Sequence, residues 1–360
     1  MHKILAIETS CDETSVAIVE AGKNKKAVLR PLSNAISSQI KIHEQTSGVV
    51  PEVAARAHIK KINAVMAEAL RKAGLPLKKM DYIAVTAGPG LITSLMVGTE
   101  YAKALAFALG KKIIPVNHML GHLYSALIKN SRLEFPSVNL IVSGGHTYLV
   151  LMRDSKNYKV IGQTVDDAAG EAFDKVARLL KLPYPGGPQI SKWAESQRNR
   201  TAANKSPVGS GTVYNFPRPM LNEKNYNFSF AGLKTAVLYK IRDENLDVND
   251  AKIKAALAYS FENAAVEVLV KKTIRAAKEF AAKSITLSGG VAANKYLRAS
   301  LARAAAKEEK KLYVPEPSLC TDNALMIANA AAIMMRNGFK AIGSETAAFG
   351  KITANPNLGL

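Results

Sequence analysis

The stretch VNHMLGHLYSAL, residues 116 to 127, places His118 and His122 four residues apart in a chain with only six histidines. On a helix, at about 100° per residue, the two imidazoles and Ser125 fall within about 60° of one another. Leu120, Leu123 and Leu127 share the other side, so the leucines are expected to face a core and the histidines a cleft or solvent. Two imidazoles at i and i+4 can close on one divalent cation. Such a pair can equally be two half-buried histidines without a ligand. Gly121, inside the same helix, costs about 1 kcal/mol relative to alanine, and is easier to explain if something must approach the helix closely. Spacing alone leaves both readings open.

A zinc-peptidase reading of the pair lacks its general base. H-E-x-x-H enzymes carry a glutamate directly after the first histidine, and Met119 stands there. A third ligand would have to come from elsewhere. Asp322, in PSLCTDNALMIANAAAIMM, opens an apolar helix, where capping and the helix dipole already account for an aspartate. Spacing does not select it as a ligand.

Three glycine turns follow strand-like runs: VSGGHT (142–147), LSGGVAAN (287–294) and TAGPG before residue 91. The two SGG turns each offer backbone N–H groups free of Cβ obstruction, and the second leads into a helix N-terminus, which favours an anion. Neither a Walker loop nor G-x-G-x-x-G is present. One such turn is ordinary; three together point to a nucleotide site. Asp166, Asp167, Glu171 and Asp174 cluster in TVDDAAGEAFDKVARLL. They read as a solvated helix face with Asp174 paired to Arg178, or, for Asp174, as an acceptor for a ribose.

The elements that must position these residues alternate between strands and long amphipathic helices, which argues for an α/β architecture. KILAIETSCDETSVAIVE and SVNLIVSGGHTYLVLM share a hairpin layout, and this repetition predicts two lobes of related topology. Ligand sites are common in clefts between such lobes. Residues 195–227, rich in Ser, Asn, Gly and Pro with several basic residues, read as a surface excursion. The final ITANPNLGL reads as an irregular tail. The net charge of +20 favours a polyanionic partner such as RNA or DNA. Cys11 and Cys320 are too few for a disulfide framework. No apolar run is long enough to span a membrane and no export signal opens the chain, so a reduced, cytoplasmic protein is expected.

Read in order, AIETSCDETSVAIV, GVVPEVAARAH, TAGPGLITSLMVGTEYAKALA, VNHMLGH, VSGGHTYLV, DDAAGEAFDKVARLL, YPGGPQI, FPRPM, FSFAGLKTAV, LSGGVAANKYLR and CTDNALMIA resemble the TsaD family of bacterial-type tRNA threonylcarbamoyladenosine transferases. The resemblance runs from about Ile4 to Ala330. It implies a two-lobed fold of the actin, sugar-kinase and heat-shock ATPase type with a nucleotide cleft between the lobes. The N-terminal lobe would be 1–115, with a helix at about 322–345 packing back near it. The C-terminal lobe, 116–321, would hold the metal and nucleotide sites. The implied activity moves a threonylcarbamoyl group from threonylcarbamoyl-AMP to N6 of the adenosine 3′ of the anticodon, in tRNAs reading codons that begin with A.

The resemblance makes His118, His122 and Asp322 ligands of one divalent metal, iron(II) ahead of zinc. It assigns Val142, Ser143, Gly144, Gly145, His146, Asp174, Gly187, Ser191 and Asn294 to substrate binding, with Ser191 standing where many members have aspartate. Glu13 is a candidate general base with a structural turn role as the alternative, and Arg198, Arg200 and Lys205 are candidate contacts to the tRNA backbone. Implied partners are a TsaB-like paralogous subunit, a TsaE-like ATPase and tRNA, with no membrane. Two other functions remain to be weighed: the sialoglycoprotein-type metalloendopeptidase activity once ascribed to the family, and a non-catalytic nucleotide-binding scaffold. The missing glutamate argues against the first, the intact metal trio against the second.

Overall fold

The structure, a computed structural model, describes residues 1–22, 29–128, 133–203, 213–343 and 345–360 of the chain. In chain order the strands are β1 (His2–Glu8), β2 (Glu13–Ala21), β3 (Leu29–Ser38), β4 (Tyr82–Gly88), β5 (Lys112–Asn117), β6 (Ser137–Val142), β7 (Thr147–Met152), β8 (Tyr158–Gln163), β9 (Ser284–Ser288) and β10 (Lys311–Tyr313). The helices are α1 (Ile40–His43), α2 (Pro51–Ala73), α3 (Ile92–Leu109), α4 (His118–Ser125), α5 (Ala169–Leu179) and α6 (Gly186–Ala203). They continue with α7 (Ala231–Asp243), α8 (Ala251–Glu279), α9 (Lys295–Lys307), α10 (Ala324–Arg336) and α11 (Thr346–Phe349).

Two compact units result, Met1–Arg132 with Pro315–Leu360, and Leu133–Val314. Each contains a five-stranded sheet, in the orders β3-β2-β1-β4-β5 and β8-β7-β6-β9-β10. In both, the first two strands form an antiparallel hairpin, a third pairs antiparallel beyond it, and the fourth runs parallel to the first. The repeated hairpins in the sequence are therefore the opening strands of one topology used twice.

The division between the compact units falls after Arg132, where the sequence reading had placed it after residue 115. The histidine helix α4 follows β5 directly and packs against α10, so it belongs to the first unit. In that unit Leu5, Ile7, Val16, Ile18, Ile83 and Val85 bury one sheet face under α2 and α3. Alternate residues such as Ile4, Ala6 and Val19 are buried on the other face, against which α10 packs. Buried from Ala324 to Ile333, α10 is apolar all round, as a helix covered on every side must be.

The expected excursion is also revised. Residues 195–203 continue α6, and Tyr214, Phe216 and Tyr226 are buried; Lys205 lies outside the described residues. The last segment is irregular, as expected, but tied down: Asn355 N donates to Ala87 O at 2.7 Å, and Asn117 Nδ2 donates to Gly359 O at 2.7 Å. No helix among the described residues is long and apolar enough to cross a membrane.

Within the second unit, Lys272 on α8 is 1% exposed and donates to Asn227 O at 2.5 Å. Burial, aided by the charge of Arg275, lowers its amine from 10.5 to about 8. Between those values the unfolded chain holds the proton and the folded chain does not, so stability rises with pH across that window. Denaturant unfolding of wild type and Lys272→Met at pH 7.5 and 9.5 (roughly the two sides of the lower limit) is expected to show this rise only in wild type. Equal slopes would show that the amine is not depressed.

Candidate functional site

Residues from three separate parts of the chain meet in the first unit. Asn117 ends β5 and caps α4, its Oδ1 accepting from Met119 N at 2.8 Å and Leu120 N at 3.4 Å. This fixes the first turn of the helix on which His118 and His122 stand. On α10 the cap is Asn323, whose Oδ1 accepts from Met326 N at 3.0 Å. Asp322 is thereby released from the capping role expected for it. Its Oδ1 lies 3.4 Å from His118 Nε2 and 3.1 Å from His122 Nε2. The three ligand atoms all lie within 4.8 Å of one another.

Of the two settings the helical wheel allowed, a cleft or solvent, the histidine face does not look toward solvent. His118 is 6% exposed and His122 is 0% exposed, because α10 covers that side of α4. Gly121 is what lets it approach: a Cβ there would come 2.9 Å from Ile327 Cδ1 and 3.1 Å from Met326 Cγ.

Both ring nitrogens of His122 are buried without a hydrogen-bond partner, and the 3.1 Å approach of Nε2 to Asp322 falls outside hydrogen-bond alignment. Leaving a buried nitrogen unpaired costs about 1–3 kcal/mol, and a cation held at Nε2 would remove that cost for one of the two. Two imidazoles and a carboxylate are a donor set used by both non-haem iron(II) and zinc. The residues fit the cation that the sequence resemblance implies.

Glu8, at the end of β1, was not singled out from the sequence. It is fully buried, and its Oε2 lies 3.0 Å from His118 Nδ1 and accepts from Thr86 Oγ1 at 2.6 Å. Its Oε1 accepts from Ser10 N at 2.5 Å. When the ring is neutral, Nδ1 donating to Glu8 leaves its lone pair at Nε2, on the side of Asp322, where a cation could take it. The available signal was a lone carboxylate closing the apolar run KILAIE.

Burial alone would raise the Glu8 carboxyl, but the charge of His118 reverses this and holds it below the ordinary value. Burial would likewise lower His118, yet Asp322 and then Glu8 hold it well above an ordinary imidazole. Asp322 is driven far below the usual range, burial being overcome first by His118 and then by His122. The pocket is therefore built for positive charge. Glu8→Gln keeps the shape and a carbonyl acceptor but removes the charge. It is expected to weaken cation affinity by about 10- to 100-fold with the fold retained, read by metal titration beside a thermal melt. Unchanged affinity would remove Glu8 from the site.

Glu13 opens β2 in the same unit and accepts from Ser38 Oγ at 3.4 Å. Burial, with the charges of Asp12 and Asp322, raises its carboxyl well above the ordinary value, in the direction that suits proton transfer near neutrality.

The second unit gathers the other expected residues. The β6–β7 turn is closed by Ser143 N donating to His146 O at 2.8 Å and His146 N donating to Ser143 Oγ at 3.1 Å. Gly144 and Gly145 have open space where side chains would be. Gly170, at the start of α5, lies close to this turn: a Cβ there would be 2.5 Å from Ser143 O. One turn on, Asp174 accepts from Gly186 N at 2.7 Å, ahead of the open Gly187 and of Ser191 on α6. Gly289, at φ +89°, brings the second glycine turn against Val142, which is buried at the end of β6.

Asn294 caps α9 by accepting from Leu297 N at 2.8 Å, and its Nδ2 reaches Ser191 Oγ at 2.9 Å. Under this pair lies Glu262, again absent from the sequence reading. Arg198 pairs with Glu262 and lies over the Tyr296 ring, 3.7 Å from its centroid. It is thus committed inside the unit and not offered to a polyanion, as the sequence reading had expected; Arg200 is exposed. The remaining acidic cluster is also spent internally. Asp166 accepts from Phe230 N at 2.9 Å, and Asp167 pairs with Lys175 at 2.7 Å and Lys234 at 3.0 Å. Glu171 pairs with Lys175 at 2.8 Å.

The sequence model of TsaD, described as tRNA N6-adenosine threonylcarbamoyltransferase, matches residues 30–329. A protein of that name from Thermosipho africanus is 46% identical over 355 residues, 99% of each chain. Another from Staphylococcus saprophyticus is 47% identical over 341 residues, 94% of this chain and 93% of that one. Among solved structures, HypF of T. kodakarensis aligns with a TM-score of 0.61 at 14% identity, over 93% of this chain and 48% of that one. Component A of (R)-2-hydroxyglutaryl-CoA dehydratase from Acidaminococcus fermentans aligns with a TM-score of 0.52 at 13% identity, over 98% and 99%. These two likenesses concern the fold alone.

Proposed function

Because the chain belongs to the tRNA N6-adenosine threonylcarbamoyltransferase family, we propose that its donor is threonylcarbamoyl-AMP and its acceptor N6 of the adenosine 3′ of the anticodon in tRNAs reading ANN codons. The observation that carries this reading is the convergence of His118, His122 and Asp322, with Glu8 fixing the orientation of His118. Those three side chains would hold one divalent cation, iron(II) ahead of zinc. When bound, the cation supplies Lewis-acid stabilisation of charge developing on an acyl oxygen.

The rest falls to the chain itself. Backbone N–H groups of the turn at Gly144 and Gly145 bind the donor phosphate, and Asp174, Gly187, Ser191 and Asn294 line the place of its nucleoside. The N6 amine attacks the carbamoyl carbon, the new N–C bond forms, the C–O bond to phosphate breaks and AMP leaves. Glu13 is the candidate acceptor for the N6 proton. A TsaB-like subunit and a TsaE-like ATPase belong to the same proposal, as does a cytoplasmic setting. Exposed Ile59 on α2, 62% accessible, with Ile92 and Met96 on α3, gives the first unit apolar helix surface for a partner. The net charge of +20 suits tRNA.

The test combines purified chain, synthetic threonylcarbamoyl-AMP and tRNA, with and without the partner proteins, followed by nucleoside analysis. Threonylcarbamoyladenosine is expected only in tRNAs reading ANN codons. Its absence under every combination would overturn the reading.

A further inference from the structure

Glu262 on α8 has no part in the transfer described above, yet it is fully buried and held by three donors. Ser191 Oγ donates to its Oε1 at 2.8 Å, Asn294 Nδ2 donates to the same oxygen at 2.7 Å, and Arg198 pairs with Oε2. Ser191 Oγ also accepts from Asn294 Nδ2 at 2.9 Å. A hydroxyl has one hydrogen and two lone pairs. The hydrogen is taken by Glu262, one lone pair is taken by Asn294, and one lone pair is left. Ser191 is only partly buried, and Gly187, one turn earlier on the same helix face, has open space beside it.

We propose that Glu262 is a positioning residue of the donor-nucleoside subsite, holding Ser191 Oγ as an acceptor for a ribose hydroxyl. The buried carboxylate does through the serine what a carboxylate on residue 191 would do directly. This rests on the adenylate reading above. It follows that positions 191 and 262 accommodate one carboxylate between them. Aspartate at 191 would set anionic oxygens against Glu262, where Oγ and Oε1 now lie 2.8 Å apart. Glutamine at 262 relieves that conflict. Arg198 draws the glutamine carbonyl to itself, so the amide NH2 points at residue 191.

Calorimetric titration of the full chain with AMP, 2′-deoxy-AMP and 3′-deoxy-AMP tests the relay. Wild type is expected to prefer AMP over at least one analogue by about tenfold, as loss of one well-formed hydrogen bond implies. In Glu262→Gln the amide donates to Ser191, its hydroxyl turns outward as a donor, and the preference disappears. Ser191→Ala, which leaves the Glu262–Arg198 pair in place, loses it too. Ser191→Asp alone melts lower and binds AMP poorly, while Ser191→Asp with Glu262→Gln recovers both melting temperature and preference. A preference kept intact in Glu262→Gln, or a double variant no better than Ser191→Asp, overturns the relay and leaves the subsite standing. A wild-type chain that treats all three nucleotides alike overturns the subsite and the relay together.

Discussion

Replacing His122 with alanine is expected to strip the cation and abolish tRNA modification while the protein stays folded. His122 is the cleanest of the three ligands to remove. Neither of its ring nitrogens has an aligned hydrogen-bond partner, so truncation forfeits only the 3.1 Å approach to Asp322 and removes two unsatisfied buried atoms. His118→Ala is harsher, because it strands Glu8 as a buried carboxylate without its counter-charge, a lesion of about 3–5 kcal/mol. In His122→Ala, Asp322 and His118 can still face each other. Cation affinity should fall by more than the roughly 100-fold that loss of a supporting contact can cost. Metal analysis, a thermal melt and nucleoside analysis on one preparation settle it. A non-catalytic scaffold would lose metal and leave the cellular modification intact, and that result would sink the transferase assignment of the trio.

Gly289→Ala is expected to have the largest effect on folding. The residue sits at φ +89°, and an added Cβ would lie 2.3 Å from Val142 O and 2.6 Å from its carbonyl carbon. Both are backbone atoms of β6, which pairs with β7 and β9 and cannot shift alone. Positive φ costs about 1–3 kcal/mol by itself, and the overlap adds to it. At about 2–4 °C per kcal/mol for a unit of this size, a melting temperature lower by about 10 °C follows, with weaker nucleotide binding because the β6–β7 turn moves as well. Gly290→Ala is the control: its Cβ meets open space, and a change under about 0.5 kcal/mol is expected. Equal melts for the two variants would show that the close contact with β6 is not there.

Much of this fold was legible in local pattern. The two hairpins were readable because alternation and tight turns are local properties, and their reuse in two sheets follows. The histidine pair was readable from a four-residue spacing. Its burial was not, because the helix that covers it starts some two hundred residues later. Asp322 was obscured by a plausible capping role, which its neighbour Asn323 performs instead. Glu8 and His118 are 110 positions apart, and Glu262 and Ser191 are 71 apart. Pairings at that range leave no periodic trace. The stretch after residue 194 was misread because its polar composition outweighed the aromatic residues it buries.

The first unit is interrupted by the second and completed only from Pro315 onward. A ribosome therefore releases both imidazoles early and their carboxylate late, after every strand of the intervening sheet has been made. A nascent chain halted before Asp322 carries an unfinished donor set and an N-terminal sheet lacking the α10 cover. The trio of His118, His122 and Asp322 is therefore assembled only in chains read at least through residue 322.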